Sequence, residues 1–195
     1  DAVNHRALKI IGEEAENLSD VVIHYSTDYV YSGAKKIPYL ETDATEPQGV
    51  YGQTKLAGER ALAKACSKTL IFRTSWVLGA YGNNFAKTML RLAATNEDLN
   101  VVADQFGAPT TAGLLADTTA HVVARVIRGE GSAVPFGVYH LAASGRTNWY
   151  EYAKLVITLA QEAGRPLKLL PSNIKAISTS EYPTPAKRPE NSSLD

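Results

Sequence analysis

The sequence predicts an α/β protein built on a doubly wound, parallel β-sheet, followed by a smaller C-terminal region. Short segments rich in β-forming residues alternate along the chain with segments of helical periodicity. This alternation is typical of a parallel sheet covered by helices on both faces. The first strand, 21–25, ends in the polar run Ser26, Thr27 and Asp28, at the edge where open α/β sheets hold ligands. The predicted sheet is therefore Rossmann-like.

Composition favours a small-molecule partner. The 195 residues are 45% hydrophobic, enough for a sizeable core, and 20 basic residues balance 20 acidic ones. No broad basic surface is expected to hold nucleic acid or an anionic membrane, and no apolar run reaches the roughly 18 residues of a membrane span. A single cysteine, Cys66, excludes an intrachain disulfide and suits the cytoplasm. Four histidines without metal-ligand spacing are interpreted as ordinary strand and helix residues, so no metal site is predicted: His5, His24, His121 and His140.

The individual elements follow from periodicity, caps and turn residues. Residues 1–18 carry the apolar stripe of an amphipathic helix, and the tail, 168–195, is predicted to be extended loop with at most one short helix. We expect a boundary near residue 79, with the remaining strand and helices in 80–195. After the first strand, the predicted elements are a helix to about Ala65, a strand ending at Trp76, a helix capped by Asn83 or Asn84, a strand at 99–104, a helix at 114–128, a strand at 138–142 and a helix at 149–163.

Tyr51 and Lys55 form the strongest candidate for chemistry. They stand four residues apart at the start of a predicted helix, so both side chains lie on one helix face. A phenol has a pKa of about 10, and a nearby cation lowers it toward the range in which tyrosine can transfer a proton. Tyr51 could then exchange a proton with a carbonyl or alcohol oxygen.

Two other tyrosine–lysine pairs have the same spacing, so the interval alone is weak evidence. Tyr31 with Lys35 lies in a glycine-containing turn, and Tyr150 with Lys154 opens a late helix. Only the pair at 51 and 55 follows a strand that ends in hydroxyl groups. The other two pairs are predicted to be structural.

The sequence lacks the glycine-rich turn that holds a dinucleotide pyrophosphate in doubly wound sheets. Either the sequence is a fragment without its N-terminal third, or the protein binds no dinucleotide. The fragment interpretation is favoured, because the helix at 1–18 has no evident partner in the sequence against which to bury its apolar stripe. The ending at 191–195 suggests a second truncation.

Several phrases resemble the extended short-chain dehydrogenase/reductases, and among them the dTDP-4-dehydrorhamnose reductase family. They are HYSTDYVY, ETDATEPQGVYGQTKLAGE, IFRTSWV, GNNFAKTMLRLA, DQFGAPT, LLADTTAH, YHLAASG and YPTPAKRPENS. They occur in that family's order and span almost the whole chain. The segment LGAYG after SWV departs from the pattern, which affects the expected geometry of the sugar-side loop more than the reaction.

The resemblance implies a reaction and three catalytic residues. NADPH would deliver a hydride to C4 of dTDP-4-dehydro-L-rhamnose, giving dTDP-L-rhamnose. Thr27 would hydrogen-bond the carbonyl oxygen, Tyr51 would donate the proton, and Lys55 would lower the tyrosine pKa while holding the nicotinamide ribose. Ser26 is the rival hydroxyl and a cofactor-side candidate, and Asp28 is a substrate-side candidate that could equally cap the loop. NADH remains the alternative cofactor.

The resemblance also implies substrate contacts, each with a simpler structural alternative. Trp76 would stack on the sugar, or fill the core. Asn84 and Phe85 would present helix N–H groups to a phosphate, or merely cap a helix. Gln105 would lie in the nucleotide-side loop, and Arg188 would pair with the diphosphate or stay exposed in the tail.

Two rival functions stay open at this point. One is a nucleotide-sugar epimerase or dehydratase of the same superfamily, and the other is a non-catalytic NADP-binding regulatory subunit. The intact set of Thr27, Tyr51 and Lys55 weighs against the regulatory subunit. The epimerases share the tyrosine and lysine, and the resemblance in RTSWV, GNNF and DQFGAPT separates the chain from them. Oligomeric state is left open, with a homodimer among the options.

Overall fold

The computed structural model describes residues 1–18, 21–129 and 134–195. Parallel strands and helices dominate, as the sequence predicts. The helices are α1 (Ala7–Ala15), α2 (Val50–Ala65), α3 (Phe85–Ala93), α4 (Ala112–Ile127) and α5 (Trp149–Glu162). The strands are β1 (Val22–Thr27), β2 (Thr69–Thr74), β3 (Val77–Leu78), β4 (Leu99–Val102), β5 (Phe106–Gly107), β6 (Thr110–Thr111), β7 (Gly137–His140), β8 (Thr147–Asn148) and β9 (Ile174–Ile177).

The main sheet contains three parallel strands in the order β1-β2-β7. Every residue of the central strand β2 is buried, which explains its nearly continuous apolar and β-branched sequence. Thr27 at the end of β1 pairs with Thr74 at the end of β2. The carboxyl ends of the two strands therefore meet at one edge, where the candidate catalytic residues follow.

The predicted strand at 99–104 does not join this sheet. It forms β4, which pairs in parallel with β9 in register Leu99↔Ile174. The sequence prediction missed β9, because IKAI is only four residues long and is flanked by turn-forming residues. The tail accordingly holds a strand and two short 3₁₀ turns, Pro171–Asn173 and Thr179–Glu181, instead of at most one short helix.

The N-terminal segment has a packing partner, contrary to the sequence prediction. A π-helical turn, Ala2–Arg6, leads into α1, and both pack against α2. A Cβ at Gly12 would lie 2.8 Å from Ala65 Cβ, and one at Gly58 only 1.9 Å from the Asn4 carbonyl oxygen. Glycines thus allow this close helix contact. The expectation that the stripe lacks a partner was wrong, although Val3 and Ile10 are exposed.

Two apolar clusters hold the described residues together. One joins α3 and α5 to β4 and β9 around Met89, Val101, Ile157 and Ile174. The other contains Val30, Tyr31, Tyr39, Leu56 and Leu194. The second cluster anchors the end of the chain beside the segment that follows β1.

Some boundaries differ from the predicted ones for local reasons. The strand predicted to end at Trp76 ends at Thr74, because Trp76 adopts a positive φ of 43°, which an extended strand cannot accommodate. The helix predicted at 114–128 begins at Ala112, where the Thr111 hydroxyl accepts a hydrogen bond from the Leu114 amide. No helix among the described residues is long and apolar enough to cross a membrane.

Candidate active site

The start of α2 packs directly on the carboxyl end of β1. A Cβ at Gly52 would lie 2.2 Å from the Tyr29 carbonyl oxygen, so only glycine lets the helix approach this closely. The Tyr51 ring packs edge-on against the Tyr29 ring, with 5.8 Å between centroids. Tyr51 is 52% exposed, so its phenol is accessible to a ligand. The strand end and the helix start thus form one site.

Thr27 is buried at this junction, with its hydroxyl already engaged. Its Oγ1 accepts a hydrogen bond from the Tyr29 amide at 3.2 Å and donates one to Asp28 Oδ1 at 2.9 Å. Burial raises the pKa of the Asp28 carboxyl to about 6, even though hydrogen bonds from Ser192 and Thr27 oppose the change. Because a hydroxyl has one proton, Thr27 must turn away from Asp28 to donate to a substrate.

Lys55 extends from α2 to the backbone of β1. Its Nζ donates a hydrogen bond to the Tyr25 carbonyl at 2.7 Å and lies 3.1 Å from His24 Nε2. Burial lowers the pKa of Lys55, while the charge of Glu59 acts in the opposite direction. Lys55 therefore contacts the middle of β1, whereas Tyr51 packs on Tyr29, just after Thr27 ends the strand.

Behind these residues, a buried ion pair fixes α2 against the sheet. Arg73 on β2 donates from Nη2 to Glu59 Oε2 at 2.7 Å, and its Nε lies 3.2 and 3.3 Å from the two carboxylate oxygens. Ser26 also donates to Glu59, and Arg73 Nη1 donates to the Tyr31 hydroxyl at 2.7 Å. The Ser26 hydroxyl is thus engaged within the protein, and its predicted contact with a cofactor stays a prediction.

A cavity of about 290 Å³ lies between α3, β4 and the tail. Three of the predicted substrate-side residues, Phe85, Gln105 and Arg188, line it. Met89, Trp149 and Tyr182 also line it. Arg188 also acts on a residue beside the strand-end site: burial raises the pKa of the Tyr29 phenol, and the charge of Arg188 acts in the opposite direction. An aromatic and apolar wall with a cation at its edge suits a base joined to a phosphate.

Trp76 and Asn84 have contacts within the protein. The Trp76 indole stacks on Trp149 with a centroid distance of 3.5 Å, and Gly107 leaves room for the ring. Asn84 caps α3: its Oδ1 accepts from the Lys87 amide at 3.0 Å and its Nδ2 donates to the Gly79 carbonyl at 2.8 Å. Capping accounts for the Asn84 side chain, and sugar stacking by Trp76 stays a prediction.

The two other tyrosine–lysine pairs have structural contacts, in agreement with the sequence prediction. Tyr31 is buried, and its hydroxyl accepts a hydrogen bond from Arg73 Nη1. Lys35 forms an ion pair with Asp43 at 2.5 Å. Lys154 lies over the Tyr150 ring, 5.0 Å from its centroid.

Comparison with known proteins decides the family. The family described as "RmlD substrate binding domain" matches residues 1–195. The chain belongs to this family. The dTDP-4-dehydrorhamnose reductase of Escherichia coli (strain K12) is 54% identical over 193 residues, which cover 99% of this chain and 63% of that protein. The spore coat polysaccharide biosynthesis protein SpsK of Bacillus subtilis (strain 168) is 36% identical over 93% of this chain and 58% of its own length. The chain therefore spans less than two thirds of these relatives.

Solved structures place the RmlD-family chain on the expected scaffold. The dTDP-4-dehydrorhamnose reductase of Bacillus anthracis, solved in complex with NADP, matches with a TM-score of 0.87 and 32% identity, covering 98% of this chain and 63% of that one. The dTDP-glucose 4,6-dehydratase of the same organism matches with a TM-score of 0.72 at 16% identity, which shows a shared fold alone. The Rossmann-like prediction is confirmed.

Sequence reasoning missed several residues of this RmlD-family site. His24 was interpreted as an ordinary strand residue, and Glu59 was not singled out, although it continues the four-residue spacing of Tyr51 and Lys55. That periodicity could have identified Glu59 as a residue on the same helix face. Nothing in the sequence pattern indicates that Tyr182 in the tail reaches the cavity.

Proposed function

We propose that the full-length protein containing this chain reduces dTDP-4-dehydro-L-rhamnose to dTDP-L-rhamnose with NADPH, and that Tyr51 donates the proton. One observation supports this most strongly: Tyr51, Lys55 and Thr27 each belong to or contact β1 and the residues that follow it, Tyr51 through Tyr29, Lys55 through Tyr25 and Thr27 at the strand end. The names of the relatives agree, since the E. coli protein at 54% identity is a dTDP-4-dehydrorhamnose reductase. A cytoplasmic location and a homodimeric state stay predictions.

Each of the three residues has a separate role in the reduction of the carbonyl group. As negative charge develops on the carbonyl oxygen, a donor aimed at that oxygen lowers the barrier. Tyr51, with its exposed phenol, supplies such a donor and transfers its proton to the oxygen. The Lys55 ammonium on the same helix face favours the phenolate that remains. Thr27 adds a second donor once its hydroxyl turns away from Asp28.

The residues present fit the nicotinamide end of NADPH. Bound NADPH would supply the hydride that adds to the carbonyl carbon. Lys55 has three N–H groups, of which two face Tyr25 and His24, so the third is available to a ribose hydroxyl. The half-exposed ring of Tyr51 leaves the phenol open on that side.

The lining of the cavity suits the nucleotide part of the substrate. Phe85 and Trp149 offer aromatic faces to a thymine, while Gln105 offers an amide. Arg188 at the cavity lining offers a guanidinium that can bind a diphosphate with two hydrogen bonds. Trp76, which follows the end of β2 in the chain, stacks on Trp149 of the cavity lining.

A direct assay tests the proposal. Full-length protein is mixed with NADPH and dTDP-4-dehydro-L-rhamnose, and NADPH absorbance is followed with time. We expect oxidation that requires the sugar nucleotide and yields dTDP-L-rhamnose in equal amount. A protein that binds NADP without turnover, or converts the sugar with no net use of reductant, would rule out the reductase assignment.

A further inference from the structure

The Lys55 ammonium has two acceptors inside the protein, and one of them is a histidine. Lys55 Nζ lies 2.7 Å from the Tyr25 carbonyl oxygen and 3.1 Å from His24 Nε2. An ammonium only donates hydrogen bonds, so the nitrogen that faces it must be the unprotonated one of a neutral imidazole. The contact therefore assigns the ring proton of His24 to Nδ1.

The surroundings of His24 keep its ring neutral. The residue lies on β1, paired with Ile71 of the buried central strand. Burial, and to a smaller extent the Lys55 charge, lower the pKa of His24 to about 4. At neutral pH the imidazole is thus an acceptor fixed on a strand, facing the helix that carries Tyr51.

The partners of Lys55 differ from those of the lysines in the two structural pairs. Lys35 pairs with the Asp43 carboxylate at 2.5 Å, and Lys154 lies 3.7 Å from the Glu151 carboxylate. A carboxylate holds an ammonium but offsets its charge. A neutral imidazole and a carbonyl hold it without adding an opposing charge, although the Glu59 carboxylate on the same helix also acts on Lys55. A cation held in this way favours phenolate on a neighbouring tyrosine.

We propose that His24 is a positioning residue, which holds the Lys55 ammonium through Nε2 so that one N–H group remains directed to the active site. The inference rests on the proposed reductase function, in which Lys55 acts on Tyr51. A lysine side chain is flexible, with several rotatable bonds. Two acceptors on one strand fix the ammonium before any ligand binds. Less conformational entropy is then lost when the ligand binds and the site is assembled.

The first test is a titration that does not depend on activity. The His24 ring is followed by NMR against pH in full-length wild type, in Lys55→Met and in Lys64→Met, an exposed lysine on the same helix. We expect the His24 midpoint to rise in Lys55→Met alone, and to stay below the ordinary histidine value because burial, the larger cause of the low pKa, remains. An unchanged midpoint in Lys55→Met would overturn the proposal.

The second test uses substitutions at His24 that differ in reach. The Gln amide can place its oxygen near the position of Nε2, whereas the Asn amide is one carbon shorter. Because a hydrogen bond to a charged group is lost, we expect His24→Asn to lower kcat/KM about tenfold or more, and His24→Gln to stay within about threefold of wild type. The alkaline limb of the pH–rate profile should shift in His24→Asn and stay in place in His24→Gln, because only the Asn variant releases the Lys55 ammonium from its position.

These outcomes separate the proposal from a purely structural role. Circular dichroism confirms that both variants fold. Equal activity of His24→Asn and wild type, or equal impairment of the Asn and Gln variants, would show that Nε2 does not position Lys55. If wild type itself fails to reduce the sugar, the reductase proposal fails, and the NMR titration still decides whether His24 holds Lys55.

Discussion

The carbonyl oxygen of Tyr29 lies directly against Gly52, where an added Cβ would be 2.2 Å away. This contact sets how closely the helix of Tyr51 approaches the end of β1. We therefore expect Gly52→Ala to push the start of α2 outward and to lower kcat/KM more than tenfold, because misplacement of about 1 Å can cost a hundredfold. Steady-state kinetics of the full-length protein measure this.

The matched control is Gly49→Ala, three residues earlier. A Cβ at Gly49 has no atom within 4 Å, and its φ of −137° is open to any residue. Activity close to wild type is expected for this variant. Equal losses at positions 49 and 52 would contradict the role given to the Tyr29 contact.

The buried pair of Glu59 and Arg73 should dominate local stability. Removal of one partner leaves an unpaired buried charge, so Glu59→Ala is expected to lower the free energy of unfolding by about 3–5 kcal/mol. Lys36→Ala, which breaks the exposed pair with Glu190 at 2.9 Å, should change it by less than about 1 kcal/mol. Urea denaturation measures both, and similar losses would refute the distinction.

Asp28 should make stability fall as pH rises. Its pKa is raised from 3.8 to about 6 in the folded protein, so the folded state binds more protons between those values. The stability that protonated Asp28 contributes is present at low pH and is lost as pH rises through 6. Asp28→Asn should therefore be more stable than wild type by up to about 3 kcal/mol at pH 7.5, with a smaller difference at pH 4.5. Urea denaturation at the two pH values checks this, and a pH-independent difference would contradict it.

Gly107 should control the position of Trp76. A Cβ at Gly107 would lie 2.5 Å from the indole Cε2, so Gly107→Ala is expected to displace the ring from Trp149. We expect a change in tryptophan fluorescence and an increase in KM for the sugar nucleotide of about tenfold, corresponding to one lost stacking contact. Gly113→Ala, where the added Cβ has open space, is the control and should leave both unchanged.

The sequence was sufficient for the elements with strong local signals. The β-forming residues of β2 and the cap and turn residues that flank α5 predict these elements closely, and the spacing of Tyr51 and Lys55 identifies one helix face. Burial on both sides of a parallel sheet makes such patterns unambiguous.

Features that depend on contacts between distant segments were not predictable in this way. The pairing of β4 with β9 joins residues about 75 positions apart, and no local signal specifies it. The packing of α1 on α2 depends on Gly12 and Gly58, whose close approach is visible only in three dimensions. The contact of His24 with Lys55 likewise follows from how the helix crosses β1.

The most direct test of the central claim is turnover by Tyr51→Phe in the full-length protein, with Tyr150→Phe as the matched control from a structural tyrosine–lysine pair. The change at 51 removes one hydroxyl and keeps the ring that packs on Tyr29. We predict that NADPH binding stays nearly intact while kcat falls by a factor of about 10² or more, and that Tyr150→Phe retains wild-type turnover. Wild-type turnover in Tyr51→Phe would contradict its role as proton donor.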